Sequence, residues 1–199
     1  LTLLAGCTQS GGGSGQEQGS ETARDSIVSA FSADIGTFDP YVMSQTQELE
    51  LARNLFDSLT WLVIGESEPT MRIAQDCTVS DDGLEYLFTL RDDVYFHNGE
   101  KMTAEDVKAS LEHGKTFAEV SLYNDCIESV EVVDEYTVKI TTPGPSAVLL
   151  AHLCHHGNAI VPKELIDSDH DFTTDPVGTG PYKLVEWNRG DSVVFEAFP

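Results

Sequence analysis

The strongest local constraint on the fold is the run Phe96–Val107, FHNGEKMTAEDV, which predicts a turn followed by a helix. The segment Leu84–Leu90 before it is rich in aromatic and apolar residues, as expected of a half-buried strand. Asn98-Gly99 favours a turn, because glycine takes a positive φ without steric cost. Thr103–Asp106 has the spacing of a capping box, in which the Thr103 hydroxyl accepts from the Asp106 N–H. The run therefore predicts a strand, a turn and a capped helix in that order.

The pattern of apolar residues predicts the other elements. The predicted strands are 26–32, 73–79, 84–90, 127–133, 136–141, 182–187 and 192–195, and the predicted helices are 47–59, 104–112 and 146–153. Strands and helices are mixed without strict βαβ alternation, so we expect a mixed α/β (α+β) fold.

The charge of the chain excludes some partners. Its 11 Lys and Arg residues face 34 Asp and Glu residues, which gives a formal net charge of −23. Such an acidic surface repels nucleic acids and anionic membrane surfaces, so we expect no nucleic-acid partner. The charge either solvates the surface or attracts cationic ligands, and solvation is the simpler interpretation.

The first residues resemble a lipoprotein export signal. Leu1–Cys7 resembles the end of an apolar signal region with a lipobox, in which the Cys7 sulfur takes the lipid. The alternative is a buried strand that ends in an ordinary cysteine, but the Gly/Ser-rich stretch Ser10–Ser20 favours a flexible tether. We therefore assign 1–6 to a signal peptide remnant and 7–25 to the lipobox Cys and tether. The apolar stretch is far shorter than the ~20 residues of a membrane span, so we expect membrane contact through the lipid alone.

No catalytic motif is present in the sequence. It contains no G-x-S-x-G elbow, no H-E-x-x-H and no Walker loop. Gly178-Thr-Gly180 is too short for a dinucleotide fingerprint, and we expect it to let the backbone pass closely by its neighbours. The sequence therefore predicts a protein that is not an enzyme and has no cofactor.

The cluster His152-Leu-Cys-His-His156 allows two interpretations. If a helix continues through it, His152 and His156 stand one turn apart on one face, which suits a metal ion. The alternative, which we favour, is a helix end where imidazolium interacts with the helix dipole.

The cysteines add a second hypothesis, since Cys77 and Cys126 each lie by a predicted strand and would pair if those strands are neighbours.

Three motifs together resemble one family. LFTLRDDVYFHNGEKMTAEDVKASLE (87–112) looks like the signature region of the extracellular solute-binding proteins of family 5, the peptide-, dipeptide- and nickel-type binding components of ABC importers. Thr37–Pro40 (TFDP) resembles the exit of the family's first strand, and Pro176–Lys183 (PVGTGPYK) resembles its GTGPY segment. The motifs occur in the family's order, and the resemblance runs from about Ser26 to the last residue.

The resemblance implies a two-lobe fold of the periplasmic-binding-protein type II. Residues 26–56 and 143–199 are then two parts of the first lobe, and 57–142 form an inserted subdomain. Family members are usually more than twice as long as this chain, so we expect the second lobe beyond Pro199. By the same resemblance, we expect a monomer outside the cytoplasmic membrane that captures oligopeptides or dipeptides and delivers them to permease subunits with their ATPases. The alternatives are a nickel-, haem- or metallophore-binding protein of the same family and a ligand-sensing receptor lipoprotein.

The resemblance also points to three segments near the ligand: the loop after TFDP, the segment after the capped helix, and the chain before Ile160-Val-Pro162. Aromatic and apolar walls with a few polar groups suit a small-molecule site, although ordinary core packing explains each aromatic about equally well. The predicted ligand-binding residues are Tyr41, Met43, Phe117, Tyr123, His156 and Asn158.

Overall fold

The computed structural model describes residues 26–199 and contains five α-helices and eight strands in that part of the chain. The helices are α1 (Thr46–Leu55), α2 (Ala104–Gly114), α3 (Ala118–Asn124), α4 (Leu149–His152) and α5 (Lys163–Asp167), with a 3-10 helix at His156–Asn158. The strands are β1 (Thr60–Trp61), β2 (Thr70–Met71), β3 (Ala74–Val79), β4 (Glu85–Leu90), β5 (Ser129–Asp134), β6 (Thr137–Thr141), β7 (Tyr182–Asn188) and β8 (Ser192–Ala197). None of the described helices is both long and apolar enough to span a membrane.

The main sheet is antiparallel, with strand order β3-β4-β6-β5. Burial alternates along β4, so Tyr86, Phe88 and Leu90 face the core while the residues between them face solvent. Helix α2 packs against the core face through Val107 and Leu111, both fully buried. The predicted mixed α/β fold is confirmed, and the sheet buries one face only, as antiparallel sheets commonly do.

The run at 96–107 forms the predicted turn and capped helix. Gly99 has φ +87°, and its N–H donates to the Phe96 carbonyl at 2.8 Å. At the start of α2, the capping box is formed, and the Asp106 carboxylate accepts from the Thr103 N–H at 2.8 Å. The second oxygen of Asp106 accepts from the Lys163 N–H at 2.9 Å, so the same side chain also fixes the start of α5.

His97 connects this run to the GTG segment. Its Nδ1 accepts from the Gly178 N–H at 3.2 Å, and its Nε2–H donates to the Gly180 carbonyl at 3.0 Å. The bond in which Nδ1 accepts requires a neutral imidazole, and burial lowers the pKa of His97, which favours that form. Two motifs whose contacting residues, His97 and Gly178, lie 81 positions apart in sequence therefore meet in space through one side chain.

The GTG segment also explains where α1 ends. The sequence predicts a helix over 47–59, but α1 ends at Leu55 because Phe56 adopts extended backbone angles. The Gly180 N–H donates to the Leu55 carbonyl at 3.0 Å. A Cβ on Gly178 would lie 2.2 Å from the Leu55 carbonyl oxygen, so only glycine allows this close approach.

A second apolar cluster lies around the β7–β8 hairpin. Phe38 is fully buried there, with its ring centroid 4.8 Å from that of Trp187 and 6.1 Å from that of Phe195.

The predicted strand 26–32 is wrong, because no described strand pairs with it and Ile27 and Val28 are each 94% exposed. The proposed boundaries at 56/57 and 142/143 stay predictions.

The predicted Cys77–Cys126 disulfide is also wrong. Both thiols are free, because Cys77 lies on β3 and Cys126 precedes β5, at opposite edges of the sheet. Three strand spacings of about 4.8 Å separate those edges, which exceeds the reach of a disulfide.

Candidate functional site

The metal-binding face on one helix, the interpretation of His152 and His156 that we did not favour, is not formed. Helix α4 ends at His152, and a separate 3-10 helix begins at His156, so these two residues share no helical face. Among residues 26–199, no three His, Cys, Asp or Glu side chains are grouped closely enough to hold a metal ion.

The histidines instead form an aromatic stack with Tyr123. The His155 ring stacks on Tyr123 with centroids 3.8 Å apart, and the His156 ring lies 4.0 Å from that of His155. The Gly157 N–H donates to His155 Nδ1 at 3.1 Å, and His156 Nε2–H donates to the Met43 carbonyl at 3.1 Å. Burial, followed by the nearby His156 and His152, lowers the pKa of His155 to about 4. The stack is therefore an uncharged aromatic surface at neutral pH.

The other four predicted ligand-binding residues are Tyr41, Met43, Phe117 and Asn158. Tyr41 and Met43 are buried, and the Tyr41 ring stacks on Phe117 with centroids 5.1 Å apart. The Tyr41 hydroxyl has no hydrogen-bond partner among residues 26–199, and burial raises the pKa of this phenol. Asn158 is also buried, where it accepts from the Asn124 amide at 2.8 Å. The structure thus groups the predicted residues in one region, while ligand contact by each of them stays a prediction.

A cavity of about 180 Å³, which we call the Trp61 cavity, lies beside the stack. It is open on one side and combines apolar, aromatic and charged groups, as small-molecule sites do. Its lining consists of Leu49, Ala52, Arg53, Phe56, Asp57, Ser58, Trp61, Leu62, Cys154, His155, His156 and Ala159. Of the residues predicted from sequence, His156 lines this cavity.

Charged groups surround the Trp61 ring. The guanidinium carbons of Arg53 and Arg72 lie 5.5 and 5.8 Å from its centroid, which is cation–π range. Asp57 accepts from Arg72 Nε at 2.8 Å. Burial raises the pKa of Asp57, while the bond and charge of Arg72 act against that rise.

Sequence reasoning missed Arg53, Asp57 and Trp61. Arg53 sits on the polar side of an amphipathic helix, where a basic residue is ordinary. Trp61 lies 94 residues before His155 in the chain, so no local pattern joins them. The one available signal was rarity, since the chain has only two tryptophans and 11 basic residues.

Comparison with known proteins gives consistent results. The family model for bacterial extracellular solute-binding proteins, family 5 middle region, matches residues 68–199. The glutathione-binding protein GsiB of Salmonella typhimurium is 35% identical over 185 residues, which cover 88% of this chain and 35% of that protein. The chain therefore spans about a third of the length of this relative.

Solved structures of similar proteins share the fold. The periplasmic binding protein DppA of Helicobacter pylori, in complex with the peptide STSA, matches with a TM-score of 0.74 and 28% identity over 83% of this chain and 38% of that one. NikZ of Campylobacter jejuni, in complex with Ni(L-His), matches with a TM-score of 0.70 and 30% identity over 83% of this chain and 34% of that one. The match of the family model over most of the chain shows that this protein belongs to the bacterial extracellular solute-binding proteins of family 5.

Proposed function

We propose that the protein is the substrate-binding component of an ABC importer, that it captures oligopeptides or dipeptides outside the cytoplasmic membrane, and that it delivers them to permease subunits with their ATPases. The observation that carries the proposal is the Trp61 cavity, where an uncharged aromatic wall meets charged groups. This combination suits peptides, because many of their side chains are apolar while their termini are charged. The names of GsiB and of the DppA complex, which refer to glutathione and to a peptide, support the same ligand class.

The mechanism is non-covalent. A ligand held between two lobes stabilises the closed form only as far as it binds that form more tightly than the open one. The closed form then docks on the permease. No step requires a catalytic residue or a cofactor.

Isothermal titration calorimetry of the protein at its natural length tests the proposal. We expect di-, tri- and pentapeptides to bind, and Trp61→Ala to weaken their binding at least tenfold, because Trp61 forms one wall of the cavity. Tyr95→Ala is the matched control, since Tyr95 is an exposed aromatic residue outside the cavity. Absence of binding by every peptide would refute the proposal.

A second candidate is a metal-chelate binder. The Ni(L-His) complex of NikZ supports it, as do the imidazoles of His152 and His155 against the Tyr123 ring and of His156 against His155, which could contact a chelate that brings its own metal ligands. Titration with Ni²⁺ plus L-histidine distinguishes the two candidates. Stoichiometric chelate binding that is lost in His156→Ala, without any peptide binding, would replace the first candidate by this one.

We also propose that Cys7 carries a lipid that anchors the protein, as a monomer, to the outer face of the cell membrane or in the periplasm. Cys7 lies outside the described residues, so the support comes from the sequence alone. Mass spectrometry of the membrane fraction should detect a lipid-modified N-terminal cysteine, and Cys7→Ser should release the protein from the membrane. An unmodified Cys7 would contradict this anchor and leave the binding function unaffected.

A further inference from the structure

We propose that Arg53 binds a carboxylate of the ligand in the Trp61 cavity, so that the protein selects ligands that carry an anionic group there. The inference rests on the proposed peptide-binding function. It names Arg53 as the residue that contacts one charged group of the ligand, and it states that this group is negative.

Arg53 has no anionic partner among residues 26–199. Six of the Lys and Arg side chains in the described part form ion pairs within 4.0 Å, and Arg53 is not among them. Nor does its side chain form a hydrogen bond to any residue in 26–199. Four of the ten Lys and Arg side chains in this part of the chain lack such an ion pair, and Arg53 is one of these four.

Arg53 also differs in location from the other basic residues that lack an ion pair. The remaining basic residues in the described part without an ion pair are Lys101, Lys115 and Arg189, and none of them lines the cavity. Lys115 donates to the Ile127 carbonyl at 2.8 Å, whereas Lys101 and Arg189 each lie over an aromatic ring elsewhere. Among residues 26–199, Arg53 is therefore the basic residue that lines the cavity, and its N–H donors form no hydrogen bond.

Asp57, the anionic residue in the cavity lining, does not neutralise Arg53. Its Oδ1 already accepts from Arg72 Nε at 2.8 Å, so the Asp57 charge is balanced by Arg72 rather than by Arg53. The three side chains together leave one positive charge at the cavity. An anionic ligand group balances that charge, whereas a cationic group is repelled by it.

Trp61 makes the geometry suitable for binding. Cation–π contact holds the guanidinium near the ring without using any of its N–H donors. A guanidinium presents five donors in a planar arrangement that matches the two oxygens of a carboxylate. Because the side chain is already held in place, less conformational freedom is lost when the ligand binds.

The test compares three tripeptides by calorimetry with the protein at its natural length: Ala-Glu-Ala, its glutamine analogue Ala-Gln-Ala, and the C-terminal amide of Ala-Glu-Ala. In the unmodified protein, we expect one of the two analogues to bind about tenfold or more weakly than Ala-Glu-Ala. That analogue identifies the carboxylate that Arg53 contacts. In Arg53→Gln, the same difference should fall to less than about twofold.

Arg189→Gln is the matched control, because Arg189 also lies over a tryptophan ring, at 4.3 Å, and lacks an ion pair, but is outside the cavity. It should keep the full difference between the peptides. If Arg53→Gln also keeps it, or if the three peptides bind the unmodified protein equally, the carboxylate site is refuted while the peptide-binding function stands. If the unmodified protein binds no peptide of any kind, both proposals fail.

Discussion

At the scale of single residues, Gly178 illustrates how one missing side chain shapes the molecule. Its backbone lies against the end of α1, and an added Cβ would come 2.2 Å from the Leu55 carbonyl oxygen and 2.5 Å from the Phe56 ring. Both neighbours are buried and therefore have little room to move.

We predict that Gly178→Ala lowers the free energy of unfolding by about 1–3 kcal/mol, the usual cost of overpacking a closely packed site. Urea denaturation followed by circular dichroism measures the change. Gly144→Ala is the matched control, because a Cβ there meets no atom within 4 Å and its φ is not positive. Equal stability of the two variants would show that the chain accommodates the methyl group at position 178.

A second prediction at this scale concerns His97. His97→Ala removes both partners of the GTG backbone and leaves the Gly178 N–H and the Gly180 carbonyl without their hydrogen bonds. An unsatisfied buried polar group costs about 1–3 kcal/mol, so we expect a loss of stability of at least that size. His170→Ala is the control, since His170 bonds only within its own loop, to the Asp175 carbonyl. Comparable unfolding midpoints for the two variants would contradict the role of His97.

At the scale of elements, the start of α2 depends on Asp106. Its two oxygens accept from the Thr103 N–H and from the Lys163 N–H, so one side chain stabilises the ends of two helices. Asp106→Ala should cost about 1–2 kcal/mol, as expected for the loss of a helix cap. Glu105→Ala, which removes an acid from the same helical turn without removing the cap, is the control. If Glu105→Ala lowers the free energy of unfolding by as much as Asp106→Ala does, the effect comes from the interaction of acids with the helix dipole and not from the cap.

The same scale shows what the sequence predicts and what it does not. The turn at Gly99 and the cap at Thr103 were predicted correctly, because both depend on residues within four positions of each other. The end of α1 at Leu55 was not, because its carbonyl is bonded by Gly180, 125 positions later. The Trp61 cavity was missed for the same reason. Local patterns carry no information about which distant segments meet.

At the scale of the whole molecule, the free energy of unfolding should fall as the pH is lowered, before the pH is low enough to protonate the carboxylates. Burial lowers the pKa of His97, His155 and His156, and that of His155 falls from 6.5 to about 4. Between these two values the unfolded chain binds a proton that the folded chain does not. The free energy of unfolding therefore falls as the pH drops through this window.

We predict a lower free energy of unfolding at pH 5.0 than at pH 7.0, measured by urea denaturation. His155→Gln should reduce the difference, since one of the depressed imidazoles is then absent. Burial raises the pKa of Asp39 and Asp57, and the titration of these carboxyls acts in the opposite direction. Greater stability at pH 5.0 than at pH 7.0 would contradict the prediction.

The two guanidinium groups beside Trp61 have an optical consequence. The chain contains only one other tryptophan, Trp187, so a Trp187→Phe protein has a single indole emitter. Iodide, an anionic fluorescence quencher, is repelled by the acidic surface but attracted to Arg53 and Arg72 next to that indole. A solute that fills the cavity displaces iodide and restores the emission. The protein thus contains its own spectroscopic sensor for whatever occupies the site.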